Sequence, residues 1–124
     1  MKMRKVLVIE DDRVIREMLR LILEFNKYKV FVSEKAKDVL NIVHQKKIDV
    51  ILLDHFLFGI SGIEVCKELK GNESTSRIPI LMMSALPEVE ENCLQAGASA
   101  FLEKPFEKNI LLSKIEKILN SALA

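Results

Sequence analysis

Short apolar segments alternate along this chain with longer segments in which apolar residues recur every three or four positions. The short segments are rich in Val, Ile and Leu and do not alternate strictly with polar residues, which is typical of strands covered on both faces. The longer segments have the period of helices with one buried face, as in the stripe Ile15, Met18, Leu19 and Ile22. The predicted strands are residues 5–9, 28–32, 49–53, 78–83 and 99–102.

Five strands, each followed by a helix, predict an α/β fold with a parallel sheet, right-handed crossovers and helices on both faces. The segment "GIEVCKELKG" is one of these helices and ends at Gly71, and Gly97 ends the helix before the last strand. A chain of 124 residues has the size of one domain, so we expect a single domain over residues 1–124.

Composition excludes several classes of function. Nineteen basic and eighteen acidic residues give a net charge of +1, without the clustered basic face that direct nucleic-acid binding requires. The apolar stretch from Val6 to Ile9 ends at Glu10, too early for a signal peptide or a membrane segment. Cys66 and Cys93 are too few for a disulfide framework or a zinc site, and we expect both to be buried thiols. We therefore expect a soluble, cytoplasmic protein.

Polar side chains stand where the apolar strands end, which is the edge of a parallel sheet where ligands bind. Each has an ordinary alternative, because an acidic residue after a strand often caps the next helix and a serine or a lysine often lies in a turn. Their occurrence at four strand ends points to a shared site instead. These residues are Glu10, Asp11 and Asp12 after the first strand, Asp54 after the third, Ser84 after the fourth and Lys104 after the fifth.

Converging carboxylates at this edge need a positive charge nearby. Two carboxylates about 4 Å apart repel by roughly 4 kcal/mol at an effective dielectric constant near 20. Mg²⁺, which takes oxygen ligands, is one candidate for the compensating charge, and the ammonium group of Lys104 is another.

The segments that carry these residues resemble a known family. "VLVIEDDRVIREML", "VILLDHFLFGISG", "PILMMSA" and "AGASAFLEKPF" are similar, in this order, to the four motifs of the receiver domain of bacterial two-component response regulators. The resemblance covers essentially the whole chain and includes the regulators of chemotaxis. It implies a doubly wound, flavodoxin-like sheet of five parallel strands in the order 2-1-3-4-5, with five helices.

The resemblance also implies a role for each strand-end residue. Mg²⁺ would be the cofactor, and Asp54 would accept a phosphoryl group whose oxygens Ser84 and Lys104 contact. The Lys104–Pro105 bond is expected to be cis. Phe101 occupies the position of the aromatic switch residue that responds with Ser84, although a permanently buried core ring is the alternative. The implied metal ligands are Glu10, Asp11, Asp54 and the backbone carbonyl of Phe56.

The implied function is a phosphoacceptor switch and not a turnover enzyme, since such domains catalyse only their own phosphorylation and dephosphorylation. The donor would be a sensor histidine kinase or a phosphotransfer protein. A downstream target protein would bind the face formed by the fourth helix, fifth strand and fifth helix. The alternative is a receiver fragment of a longer response regulator or hybrid kinase, although Met1 and the final "NSALA" suit a complete small protein.

Two other functions are less well supported. An aspartyl-nucleophile phosphatase needs a second acid two residues after its aspartate, where this chain has Phe56. A degenerate receiver that only binds partners would lack some of the five core positions, and all five are filled here.

The chain departs from the family pattern around Asp54. Phe58 replaces a common proline, and Phe56 and Leu86 are apolar at the two positions that tune the lifetime of the phosphoryl group. We hypothesise that they exclude the attacking water, whereas Phe56 packing against a helix is the alternative. The segment from Ser84 to Gly97 is shorter than usual, which predicts a short or displaced fourth helix. The lone histidines, among them His55, have no ligand spacing, and His55 is interpreted as a side chain on the rim of the site.

Overall fold

A computed structural model describes residues 2–57 and 59–123 of the chain, and Phe58 lies outside them. Five parallel strands form its main sheet. Each strand ends at the predicted residue or one residue beyond it, because the apolar runs that define them are continuous. The strands are β1 (Lys5–Ile9), β2 (Lys29–Ser33), β3 (Val50–Asp54), β4 (Ile80–Ser84) and β5 (Ala100–Glu103).

The strand order is β2-β1-β3-β4-β5, which confirms the predicted flavodoxin-like fold. Helices follow the strands in sequence, and short 3₁₀ turns at Ala36–Asp38 and Pro87–Val89 precede two of them. In the described ranges the α-helices are α1 (Arg13–Phe25), α2 (Val39–Lys46), α3 (Gly62–Gly71), α4 (Glu90–Gln95) and α5 (Lys108–Leu123).

The sheet is covered on both faces, as the apolar runs predict. Val50 and Leu52 of β3 belong to the core that includes residues of α1 and α5, whereas Ile51 and Leu53 belong to the core that includes residues of α2, α3 and α4. Consecutive residues of one strand are therefore buried on opposite sides, which explains why its sequence does not alternate with polar residues.

Two helices deviate from the expectations drawn from their sequences. Met18 of α1 is exposed, so its prediction as a core residue is wrong, while Leu19 and Leu23 are fully buried. Helix α4 has only six residues, which confirms the prediction of a short fourth helix. The chain turns back after α4 at Gly97, whose φ of +110° is a conformation that favours glycine.

The two cysteines are buried free thiols, as predicted. Burial raises the pKa of both, to about 11 for Cys93, so neither is a reactive thiolate. None of the helices in residues 2–57 and 59–123 combines the length and the apolar character that a bilayer crossing requires.

Candidate functional site

Four adjacent strands bring the predicted site residues to one edge of the sheet. Asp54 and Ser84 are the last residues of β3 and β4, and Glu10 and Lys104 directly follow β1 and β5. The register aligns these ends, since Ile9 pairs with Leu53 and Asp54 pairs with Met83, and Ser84 is level with Glu103. Because the strands are parallel, all four functional groups lie at their carboxyl ends.

Three carboxylates cluster at this edge. One oxygen each of Glu10, Asp11 and Asp54 lies within 4.8 Å of the others. Only 1 % of Glu10 and 8 % of Asp54 is exposed. Asp12 does not belong to this group: its carboxylate accepts a hydrogen bond from the amide of Ile15 at 3.0 Å and caps α1, so the simpler interpretation of Asp12 is confirmed.

Lys104 supplies a positive charge to this cluster. Its Nζ donates hydrogen bonds to Oε1 of Glu10 at 2.5 Å and to Oδ1 of Asp54 at 3.0 Å. Burial disfavours the ammonium form, but these carboxylates outweigh it and raise the pKa of Lys104. Burial also raises the pKa of Glu10, helped by the charge of Asp54 and opposed by the hydrogen bond from Lys104. The cluster is therefore only partly compensated by its own lysine. The Lys104–Pro105 bond is cis, as predicted.

Ser84 lies beside the cluster and is 2 % exposed. Its Oγ accepts a hydrogen bond from the amide of Leu86 at 2.9 Å and lies 3.2 Å from Nδ1 of His55. The contact with His55 was missed from the sequence, which offered a lone histidine without ligand spacing. The register of β3 and β4 was the signal that could have found it, because the pairing of Asp54 with Met83 places the next residues of both strands together.

The residues after Asp54 form a narrow turn that fixes the end of β3. Phe56–Leu57 and Ile60–Ser61 pair as a short antiparallel ladder, and the amide of Gly62 donates to the carbonyl of His55 at 2.6 Å. A Cβ atom on Gly62 would lie 2.0 Å from the backbone carbonyl oxygen of Asp54. Position 62 therefore requires glycine for the chain to pass this close to the strand end.

Phe56 and Leu86, the candidates for tuning the lifetime of the phosphoryl group, are more exposed than Phe101, the candidate switch residue. Phe56 is 54 % and Leu86 46 % exposed, so packing against a helix does not account for the whole Phe56 ring. The ring of Phe56 lies 6.2 Å from that of His55. Phe101, on β5, is buried in the core that includes α4. Its inward position is compatible both with a switch residue in one of its states and with a permanent core ring.

The donor set fits a magnesium ion. Mg²⁺ prefers carboxylate oxygens, and two oxygens on opposite sides of the ion lie about 4.2 Å apart, twice the ion–oxygen distance. The oxygens of Glu10, Asp11 and Asp54 lie within 4.8 Å of one another, which is compatible with ligands of a single ion of this size. Burial and the charge of Asp54 raise the pKa of Glu10, and a cation beside its carboxylate would favour the charged form.

Comparison with known proteins agrees with this geometry. A family model described as "Response regulator receiver domain" matches residues 6–116. The response regulator MprA of Mycolicibacterium vanbaalenii is 34 % identical over 93 % of this chain and 50 % of its own length. The chain thus spans about half the length of the curated relatives it matches.

Solved structures show the same likeness. A putative response regulator from Chloroflexus aurantiacus superposes with a TM-score of 0.91 at 30 % identity, over 96 % of this chain and 99 % of that one. The receiver domain of the sensor histidine kinase PA1611 from Pseudomonas aeruginosa, which has a magnesium ion in its active-site cleft, gives 0.86 at 26 % identity, over 96 % and 99 %. The chain belongs to the response regulator receiver domain family, the signalling switches of two-component systems.

Proposed function

We propose that this chain is a Mg²⁺-dependent phosphoacceptor whose Asp54 takes a phosphoryl group from a phosphohistidine. The donor is a sensor histidine kinase or a phosphotransfer protein. The observation that carries the proposal is the convergence of two further carboxylates, an ammonium group and a hydroxyl on one strand-end aspartate. The two buried free thiols fit a reducing, cytoplasmic compartment for this reaction.

The side chains at the site suit this transfer. An oxygen of Asp54 attacks the phosphorus atom, the new O–P bond forms as the P–N bond breaks, and the electron pair leaves on the donor imidazole. Lys104 already donates to Asp54 and offsets the negative charge that gathers there, while Ser84 donates to a phosphoryl oxygen. Mg²⁺, when bound by Glu10, Asp11, Asp54 and the backbone carbonyl of Phe56, supplies further positive charge against the carboxylate and phosphoryl oxygens.

The signal then passes through Ser84 to the adjoining loop. A hydrogen bond from Ser84 to the phosphoryl group draws the loop after β4 inward and makes room for Phe101 to turn further into the protein. This movement changes the face formed by α4, β5 and α5, to which a downstream target protein binds. No turnover of an external substrate is involved, since the second acid of an aspartyl phosphatase is replaced by Phe56.

Phe56 and Leu86 give the phosphoryl group a long lifetime in this proposal. Both side chains are about half exposed, two positions beyond Asp54 and Ser84 respectively, so they are free to cover the acceptor without being fixed in the core. Water that is kept from the phosphorus cannot hydrolyse the acyl phosphate.

A second interpretation concerns the length of the whole protein. The chain covers about half the length of its curated relatives, which supports the alternative that it is the receiver part of a longer response regulator or hybrid kinase with an output domain. Both readings assign the same chemistry to Asp54.

Intact-mass measurement after incubation with a small phosphodonor and Mg²⁺ tests the proposal. We expect the native chain to gain one phosphoryl mass, and we expect no gain in Asp54→Ala or after chelation of Mg²⁺. Asp49→Ala, at a carboxylate that accepts from the amide of Lys5 at the opposite end of β1, serves as the matched control and should be labelled normally. Equal labelling of native chain and Asp54→Ala, or continuous release of phosphate from an ester, would contradict the proposal.

A further inference from the structure

The imidazole of His55 contacts the hydroxyl of Ser84, and neither the strand-end pattern nor the metal site requires this contact. The two residues are 29 positions apart in sequence, and the separation between Nδ1 and Oγ is 3.2 Å. The backbone amide of His55 also donates to Oδ1 of Asp54 at 3.0 Å and to the carbonyl of Met83 at 2.8 Å. The backbone of His55 is therefore held in place while its ring reaches across to β4.

The direction of this hydrogen bond follows from the partners of Ser84. A serine hydroxyl has one proton to donate and two lone pairs that accept. The amide of Leu86 donates to Oγ and thus occupies a lone pair. The hydroxyl is buried, and a buried proton without an acceptor is costly. Among the hydrogen bonds of the Ser84 hydroxyl in the described residues, Nδ1 of His55 is the partner that can accept, so Ser84 donates to His55 in the tautomer whose ring proton is on Nε2.

We propose that His55 is a positioning residue that holds the Ser84 hydroxyl in its resting orientation and competes with the phosphoryl group for its single proton. The inference rests on the proposed function, in which that same proton is donated to a phosphoryl oxygen. The hydroxyl cannot donate fully to both acceptors. His55 therefore favours the unphosphorylated arrangement of Ser84 and of the loop that follows it.

Removal of the competing acceptor should raise the affinity for a phosphoryl group. A ligand shifts an equilibrium only by its difference in affinity for the two states, and loss of the hydrogen bond to His55 destabilises the resting state alone. One hydrogen bond between uncharged groups corresponds to about a fivefold change in an equilibrium constant. The inference thus predicts about fivefold tighter binding of a phosphoryl mimic.

The experiment compares His55→Phe with His55→Asn. Phenylalanine keeps a ring of similar size and removes both nitrogens, whereas the amide oxygen of asparagine restores an acceptor close to the position of Nδ1. Each protein is titrated with beryllofluoride, an inorganic mimic of an aspartyl phosphate, at fixed Mg²⁺, and the NMR signals of the Leu86 amide and the Phe101 ring are followed. We expect His55→Phe to bind about fivefold more tightly and His55→Asn to remain close to the native chain.

A second pair of proteins tests whether the effect passes through the hydroxyl. In a Ser84→Ala background, His55→Phe should leave the affinity for beryllofluoride unchanged, because there is no proton to compete for. The same gain with and without Ser84 would overturn the inference, as would an unchanged or weaker affinity of His55→Phe in the native background. Failure of the native chain to bind beryllofluoride or to be phosphorylated would instead refute the proposed function, and the inference with it.

Discussion

Replacement of Lys104 by methionine tests the electrostatics of the site most directly. Its ammonium lies 2.5 Å from Oε1 of Glu10 and 3.0 Å from Oδ1 of Asp54. Methionine keeps much of the length of the side chain and removes the charge. The two carboxylates then lose the cation to which both accept hydrogen bonds, while the carboxylate of Asp11 still lies beside them.

The expected cost follows from the separation of these groups. Two unit charges no more than 4.8 Å apart repel by at least about 3.5 kcal/mol at an effective dielectric constant of 20. Loss of one partner from a buried ion pair typically costs about 3–5 kcal/mol. Only 14 % of the Lys104 side chain is exposed, so screening by solvent reduces this cost only slightly. We expect the free energy of unfolding to fall by about 3 kcal/mol in the absence of a divalent cation.

Urea unfolding at neutral pH in the presence of a chelator measures this change. With a denaturant dependence of about 2 kcal/mol per molar urea, the midpoint should fall by about 1.5 M. Lys117→Met, at an exposed position of α5, should shift the free energy of unfolding by less than about 0.5 kcal/mol. Added Mg²⁺ should recover more stability in Lys104→Met than in the native chain. A loss below about 1 kcal/mol, typical of a surface ion pair, would refute the reasoning.

The pH dependence of this variant has a defined sign. Burial already raises the pKa of Glu10 above its ordinary value of 4.5, and loss of the hydrogen bond from Lys104 raises it further. The folded variant then holds a proton that the unfolded chain releases, so its stability falls as the pH rises from 4.5 through the folded pKa. The difference between variant and native chain should therefore widen as the pH rises from 4.5 to neutral. A constant difference over that range would show that Glu10 is not the group responsible.

Two further substitutions test the turn that follows β3. Gly62→Ala should destabilise the fold by about 1–3 kcal/mol, because the added Cβ would overlap the carbonyl oxygen of Asp54. Gly71→Ala, with open space around the added Cβ, should not destabilise it. Equal urea unfolding midpoints for the two variants would contradict this prediction. Phe56→Asn should shorten the phosphoryl lifetime several-fold, a change of about 1 kcal/mol in the barrier, while Phe25→Asn on the exposed face of α1 should leave it unchanged. Time-resolved intact mass measures this lifetime, and an unchanged decay in Phe56→Asn would remove the case for water exclusion.

Much of the fold was predictable because it rests on burial. A strand covered on both faces must be apolar at consecutive positions, so the apolar runs mark β1 and β3 to β5 closely. The helices were less well defined, since a period of 3.6 residues permits more than one stripe. On α1 the structure buries Leu19 and Leu23 and leaves Met18, Leu21 and Phe25 exposed. Apolar residues thus occur on both sides of this helix, and periodicity alone does not say which side faces the sheet.

Some residues of the site could likewise be predicted from the sequence, and others could not. Glu10, Asp54, Ser84 and Lys104 were predictable because parallel strands present their ends at one edge, whatever the details of packing. The role of His55 was not, because its partner belongs to another strand and is found only when the register of β3 and β4 is known. For Asp12 the sequence left helix capping as one of two open interpretations. Its assignment depends on the geometry of the first turn of α1, where its carboxylate accepts from Ile15.

The end of β3, which carries Asp54, is held more firmly than the chain that follows Ser84 at the end of β4. This difference indicates where a chemical change at Asp54 can be transmitted. The end of β3 is held by strands on both sides and by the close passage of Gly62, so movement of Asp54 would disturb many contacts. The chain after Ser84 is exposed from position 85 to position 88 and continues into an α4 of only six residues. Few buried contacts oppose its movement, and segments of this kind move at low cost. A phosphoryl group that captures the Ser84 hydroxyl would therefore displace this loop before it displaced the acceptor strand.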